Sequence, residues 1–290
     1  MEEVQNDFFS ELPEGFVAEA LALTSPRDAC RLSSINSFFR SAANWDKVWE
    51  SFTPPECLGE AVVDAGCNSK KDKFLHLCDH TVIIDDGNKS FWLDKRSGKK
   101  CYMLSARSMS ISLVDSPSCW KWTSIAESRF TEVGELINVC ALEVNGKINT
   151  SILSPKTAYV AYLVFKMTSK ANGFEYQPVE LSIVSHKDKC ETRLAYLDPQ
   201  AEQKRRLKPR RRMRIFSRIA FTYYHELPSP SKDNAPNLRK DGWFETAIGE
   251  YFNEGGDETE LEMRVMEVKG GNWKTGLVIE GIEIRPKNCI

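Results

Sequence analysis

The sequence predicts an α+β protein with segregated domains: a short all-α domain at residues 1–55, a helical linker at 56–81, and an antiparallel β-sandwich of jelly-roll type at 82–290 with a basic loop at 204–241. Three observations lead there. Apolar residues recur at helical spacing before Pro54-Pro55. Beyond the turn cluster Asp85-Asp86-Gly87-Asn88 they recur in short alternating runs instead. Gly, Pro, Asn and Asp separate those runs along the rest of the chain, which is the pattern of many short strands joined by turns.

The helical domain is read from its stripe and its stops. Phe16, Val17, Ala20, Leu21 and Leu23 follow Leu12-Pro13 at helical spacing. Ser25 suits an N-cap, Pro26 the first helical position, and Asp28, three residues after Ser25, fits a capping box. The next helix would bury Ala29, Leu32, Ser33, Ile35 and Phe39, with Ala42 continuing it. Trp45, Val48, Trp49 and Phe52 lie on a third helical stretch, which Pro54-Pro55 stops. So small a segment makes little core of its own and is expected to need a partner or the following domain.

After the linker, where Lys70 to Leu77 reads as helix and Val82 to Ile84 as a short strand, the strand-like runs begin. They are Phe91–Leu93, Cys101–Leu104, Met109–Val114, Ile137–Val144, Ala158–Phe165, Val179–Val184, Arg193–Leu197, Phe244–Ile248, Leu261–Val268 and Leu277–Ile284. Val179, Leu181 and Ile183 alternate with Glu180 and Ser182, as in a strand buried on one face. Ala158 to Phe165 is apolar on both faces and is expected at the centre of a sheet.

Composition narrows the function classes. Of 290 residues 41% are hydrophobic and 28% charged, an ordinary balance for a globular chain with a real core. No apolar run approaches the ~20 residues that span a bilayer. Met1 to Ser10 holds Glu2, Glu3 and Asp7 and no basic residue, the wrong charge for a leader peptide, so cytoplasm and nucleus are the expected compartments. The nine cysteines include no Cys-x-x-Cys pair and are expected as reduced thiols. His76, Cys78 and His80, with Cys67 behind them, are the densest set of metal-ligand types. No second pair follows at finger-like spacing, so a helix-packed cysteine between surface histidines is preferred, and neither metal nor cofactor is expected. His76, His80, His186 and His225 lack a motif-like carboxylate or nucleophile setting, no phosphate loop is present, and Gly255-Gly256 and Gly270-Gly271 read as turns. A non-catalytic protein is expected.

Two resemblances add to this. Leu12-Pro13, Ser25-Pro26-Arg27-Asp28-Ala29, Phe39, Ala42, Val48-Trp49 and Phe52 follow the F-box pattern in order and spacing. The resemblance implies docking to a Skp-type adaptor, and through it to a cullin ubiquitin ligase, with Leu12, Pro13, Phe16, Val17, Leu32, Phe39 and Trp49 as adaptor-binding residues. Over roughly 82–287 a second set matches: Ile83-Ile84-Asp85-Asp86-Gly87, Lys89-Ser90-Phe91-Trp92-Leu93, Leu104-Ser105-Ala106-Arg107, Val114-Asp115-Ser116-Pro117, Trp120-Lys121-Trp122, Tyr162-Leu163-Val164-Phe165-Lys166, Asp241-Gly242-Trp243, Gly249-Glu250-Tyr251-Phe252-Asn253, Glu260-Leu261-Glu262-Met263 and Gly281-Ile282-Glu283-Ile284-Arg285-Pro286. This part resembles the phloem-protein-2, or Nictaba-type, lectins of plants, in the subgroup that carries an F-box. That family implies a β-sandwich recognising N-acetylglucosamine oligomers or N-glycan cores.

Sugar recognition needs an aromatic face for the CH side of the ring and fixed polar groups for its hydroxyls. Trp120 matches a sugar-binding tryptophan of the family, and Trp122 shares its face if both lie on a strand. Core or edge packing explains the two equally well. The family's other binding tryptophan falls at position 113, here Leu113, which has no flat π-face. Glu260 and Glu267 match the family's carboxylate contacts. If Leu261, Met263 and Val265 face inward, Glu260 and Glu262 face outward, and strict alternation turns Glu267 inward, where a carboxylate needs a partner. A bulge, a polar cleft, or a salt bridge to Arg264 or Arg285 would each meet that need. Lys204 to Arg214 is a basic run on an otherwise acidic chain; the family has a matching lysine-rich segment taken as a nuclear import signal, here Lys204, Arg205, Arg206, Lys208, Arg210, Arg211 and Arg212. A solvated loop is the equal alternative. Without stacking aromatics inside the run, nucleic acid is not an expected partner.

The leading reading is a cullin-ligase substrate receptor with a lectin-like domain. The alternatives are a carbohydrate-binding protein acting without ligase assembly, and a lectin scaffold turned to protein recognition.

Overall fold

The computed structural model describes residues 12–57, 69–175, 177–185, 191–207, 235–256 and 258–287. The described residues form two compact units, one within Met1–Val82 and Phe91–Cys101, the other within Ile83–Ser90 and Tyr102–Lys287.

The first unit contains α1 (Glu14–Ala22), α2 (Pro26–Leu32), α3 (Ser37–Ala42), α4 (Asp46–Phe52) and α5 (Lys70–Asp79). Caps start three of them. Ser25 Oγ accepts from the Asp28 amide at 3.1 Å and donates to the Asp28 carboxylate at 2.7 Å, with Pro26 as the first helical residue. Asn36 and Ser69 cap α3 and α5 in the same way. Val17, Ala18, Leu21, Ala29, Ala42, Val48, Trp49, Phe74 and Leu77 are buried. Trp49 anchors this small core: its Nε1 donates to Ala43 O at 2.7 Å, and its ring meets Phe52 edge-on at 5.8 Å and Phe74 at 5.3 Å. The helix expected in a linker therefore adds Phe74 and Leu77 to the core of the helical unit.

The strands are β1 (Val82–Ile84), β2 (Lys89–Leu93), β3 (Lys100–Ser105), β4 (Ser110–Ile111), β5 (Trp120–Thr123), β6 (Val133–Leu136), β7 (Leu142–Asn149), β8 (Thr157–Asn172), β9 (Val179–Val184), β10 (Glu191–Ala195), β11 (Asn237–Leu238), β12 (Phe244–Asn253), β13 (Glu260–Glu267) and β14 (Thr275–Pro286), with α6 (Ala201–Leu207) after β10. The larger sheet runs β1-β2-β3-β14-β8-β12-β11, with β6 also on β14 and β5 on β6; the smaller runs β10-β9-β13-β7-β4. The described pairs are antiparallel. The two sheets face each other over a common core. A Cβ on Gly146 of β7 would lie 3.0 Å from Ile282 of β14 and 3.3 Å from Leu104 of β3, and one on Gly249 of β12 would lie 3.1 Å from Ile183 of β9. Leu163, Phe165, Ile282 and Ile284 from one sheet and Val144, Leu181, Leu261, Met263 and Val265 from the other are all fully buried. This is the predicted β-sandwich, and the doubly apolar β8 lies between β14 and β12 as its pattern requires.

Some elements differ from the sequence expectation. Met109–Val114 is extended only at Ser110–Ile111; the chain then turns, and Leu113 sits at φ 61° in the left-handed region. Within Ile137–Val144 the ladder begins at Leu142, preceded by an isolated bridge between Val139 and Lys274. Of the loop expected over 204–241, α6 covers the start as far as Leu207, β11 begins at Asn237, and 208–234 lie outside the described residues.

Candidate functional site

In the helical unit, the residues matching the adaptor-binding pattern separate by burial. Leu12 and Pro13 are exposed, and Phe16 on α1 is 61% exposed. Val17 and Trp49 are core, while Leu32 and Phe39 are half-buried. Leu23, Ile35 and Trp45 add further exposed apolar side chains that the motif reading did not single out, Leu23 being 89% exposed. Trp45 is fixed by a bond from its Nε1 to Glu14 at 2.9 Å; a bond from Ser41, and then this one, lower the Glu14 carboxyl below its usual range.

In the sandwich, Leu113, Trp120 and Trp122 lie on or beside the crossing from β4 in the smaller sheet to β5 in the larger. Leu113 is 61% exposed at the turn. Trp120 is 3% exposed; its Nε1 donates to Ser112 O at 3.1 Å, so its ring underpins the 112–119 connection and presents no open face. Trp122 is half-buried, with the Arg107 guanidinium 3.7 Å from its ring centroid. Arg107 is itself tied to Glu132 at 2.7 Å.

Glu260 and Glu267 stand at opposite ends of β13, seven residues or ~23 Å apart along an extended strand. They do not form one carboxylate pair. Glu260 is exposed and bonded to Lys147 at 2.7 Å, which raises the Lys147 pKa. Glu267 is buried at 4% and faces inward by unbroken alternation, without a bulge. Its partner is the buried Lys274, and not Arg264 or Arg285, which pair with Glu262 and with Glu245 and Glu283. Glu267 Oε1 also accepts from Gly270 N at 2.8 Å, and Lys274 Nζ donates to Asn272 O at 2.8 Å and Cys140 O at 3.1 Å. The partner eluded the sequence because Lys274 lies beyond a glycine turn, seven residues on.

Sequence reasoning also missed a guanidinium–carboxylate cluster on the other face of the larger sheet. Glu283 meets Arg129 at 3.1 Å, Arg239 at 3.0 Å and Arg285 at 2.5 Å, and Glu245 meets Arg285 at 2.9 Å. Burial alone pushes the Glu283 carboxyl up, but the three guanidinium charges outweigh it and hold the group below the usual carboxylate range. On the same strand Glu280 is pushed up by burial, opposed by a bond from Arg129 N at 2.8 Å and one from Ser128.

Of the basic run, Lys204 pairs with Asp198 at 2.7 Å, and Arg205 and Arg206 lie on the backbone of α6. Lys208, Arg210, Arg211 and Arg212 lie outside the described residues. His76 and His80 stack at 4.5 Å at the end of α5, and among the described residues no group of three or more His, Cys, Asp or Glu could hold a metal ion.

Comparison with known proteins places this geometry. Residues 99–286 match the family model described as phloem protein 2. The chain is 41% identical to the F-box protein VBF of Arabidopsis thaliana over 95% of this chain and 99% of that one. It is 40% identical to the F-box protein PP2-B13 of the same plant, over 95% and 98%. Among solved structures, a carbohydrate-binding module crystallised with β-1,4-galactotriose aligns with 62% of this chain and 87% of its own, at 7% identity and a TM-score of 0.30, too low to bear on a ligand. The full-length agreement with F-box relatives, together with the family match across the sandwich, means that the chain belongs to the F-box proteins of the phloem protein 2 family.

Proposed function

We propose that this protein is the substrate-recognition subunit of an SCF-type cullin ubiquitin ligase: the helical unit docks a Skp-type adaptor and the sandwich holds a glycan, of the N-glycan or N-acetylglucosamine-oligomer kind. The observation that carries the reading is the surface of the helical unit. Its core is small, yet Phe16 is 61% and Ile35 64% exposed on it. Apolar side chains left uncovered on so small a unit favour a partner that covers them. Cytoplasm and nucleus are the compartments where such a ligase meets its substrates.

The test is co-purification of the full chain with a Skp-type adaptor and cullin. Changing Leu12 and Pro13 together to Ala, or Phe16→Glu, is expected to abolish adaptor capture while circular dichroism keeps the β signature. Undiminished capture by both variants would overturn the assignment. The family match supports a glycan on the sandwich. Trp120, at 3% exposure, favours the competing reading in which the 113–120 segment recognises no sugar. Titration of the full chain with N-acetylglucosamine oligomers and N-glycan cores decides between them.

A further inference from the structure

Of the seven tryptophans, Trp273 is the most exposed, at 61%, while Trp120, at the family-matched position, is buried. The backbone that carries this indole is tied down from below. The loop from Glu267 to Lys274 is fastened underneath by the buried Glu267–Lys274 pair, by Gly270 N on Glu267, and by Asn272 Nδ2 on Gln177 Oε1 at 2.9 Å. Gln177 is 2% exposed, and its Nε2 has no hydrogen-bond partner among the described residues. A buried ion pair is often no more stabilising than an apolar core of the same volume, and this one joins the two ends of the loop.

The bridge between Val139 and Lys274 sets what stands beside the indole. Both bridge residues are buried. The antiparallel bridge stands alone, and it brings the chain at Asn138 and Cys140 alongside that at Trp273 and Thr275. Asn138 and Cys140 are exposed and Thr275 half-buried. The same segment adjoins the 112–119 connection, since Cys119 O accepts from Ile137 N at 2.8 Å and Asn138 N at 3.3 Å. One surface therefore carries a flat apolar face flanked by an amide and a hydroxyl, the two elements that a pyranose needs.

We propose that Trp273 is the stacking platform of the saccharide site, with Asn138 and Thr275 bonding ring hydroxyls or an acetamido group, and with Trp120 acting only as a buried support. This rests on the glycan-binding reading above and names the residues that perform it. The test is titration calorimetry on the full chain with triacetylchitotriose and with a chitobiose-core N-glycan. Trp273→Ala is expected to weaken binding at least about tenfold and Trp273→Phe by only about threefold, as loss and retention of a flat face require. Asn138→Ala is expected to weaken it about threefold, and none of the three should shift the melting temperature. Wild-type affinity in Trp273→Ala would overturn the assignment while leaving the lectin reading standing. No binding by the wild type to either probe would remove the lectin reading and this assignment with it.

Discussion

Leu113 shows how much one residue's backbone can matter where its side chain touches little. Its φ of 61° is a conformation that a branched side chain adopts at a cost of about 1–3 kcal/mol, and the side chain is mostly in solvent. Leu113→Gly removes that strain, and the entropy of glycine in the unfolded chain offsets part of the gain. A net stabilisation of about 1 kcal/mol is expected, read as a higher urea midpoint with unchanged slope. Loss of stability would mean that the leucine packs against more than its exposure indicates. At this scale the sequence was legible in residue type and not in burial. Trp120 has the chemistry of a sugar platform, yet its ring lies beneath the 112–119 connection, because the partner of its Nε1 is a backbone carbonyl that no side-chain pattern reveals. The inward turn of Glu267 did follow from alternation alone.

Elements were legible where periodicity was long. The capping box at Ser25, the strands Val179–Val184 and Glu260–Glu267, and the central place of β8 all follow from local pattern. β6 and β11 escaped notice because strands of four and two residues hold too few alternations to stand out, whereas the three-residue β1 was legible from its unbroken Val82-Ile83-Ile84 run. On β14 the carboxylates of Glu280 and Glu283 make opposite demands on pH. Glu283, held low by three guanidinium groups, contributes stability that is present above the unfolded carboxyl value and lost as pH falls through its lowered folded value. Glu280, held high by burial, costs stability when ionised and returns it as acid protonates it. Glu283→Gln is therefore expected to cost about 3 kcal/mol at neutral pH, with the gap to wild type closing in acid. Glu280→Gln should raise the melting temperature at neutral pH, the gain fading as pH falls. Thermal unfolding from pH 7 to pH 3 reads both; parallel curves for the two variants would mean that neither carboxylate is linked to folding.

Across the whole molecule the larger sheet is organised around β14, the last of the described strands. It pairs with β3 through Gly281–Ile284, with β6 through Val278 and Ile279, and with β8 along most of its length. Gly281 marks how tightly it is seated, since a Cβ there would fall 1.9 Å from Leu104 O. A chain ending at Asn272 would leave β3 and β6 with nothing between them and β8. It is expected to lose the cooperative unfolding transition of the full chain, as followed by tryptophan fluorescence, and a retained sharp transition would show that β8 and β12 suffice. The same register has a temporal meaning during translation. The ribosome makes β3, β6 and β8 before β14, so these flanking strands leave the exit tunnel with open edges and wait for it. Until that strand emerges, the nascent sandwich presents unpaired strand edges, the feature that makes a chain prone to pairing with a wrong partner.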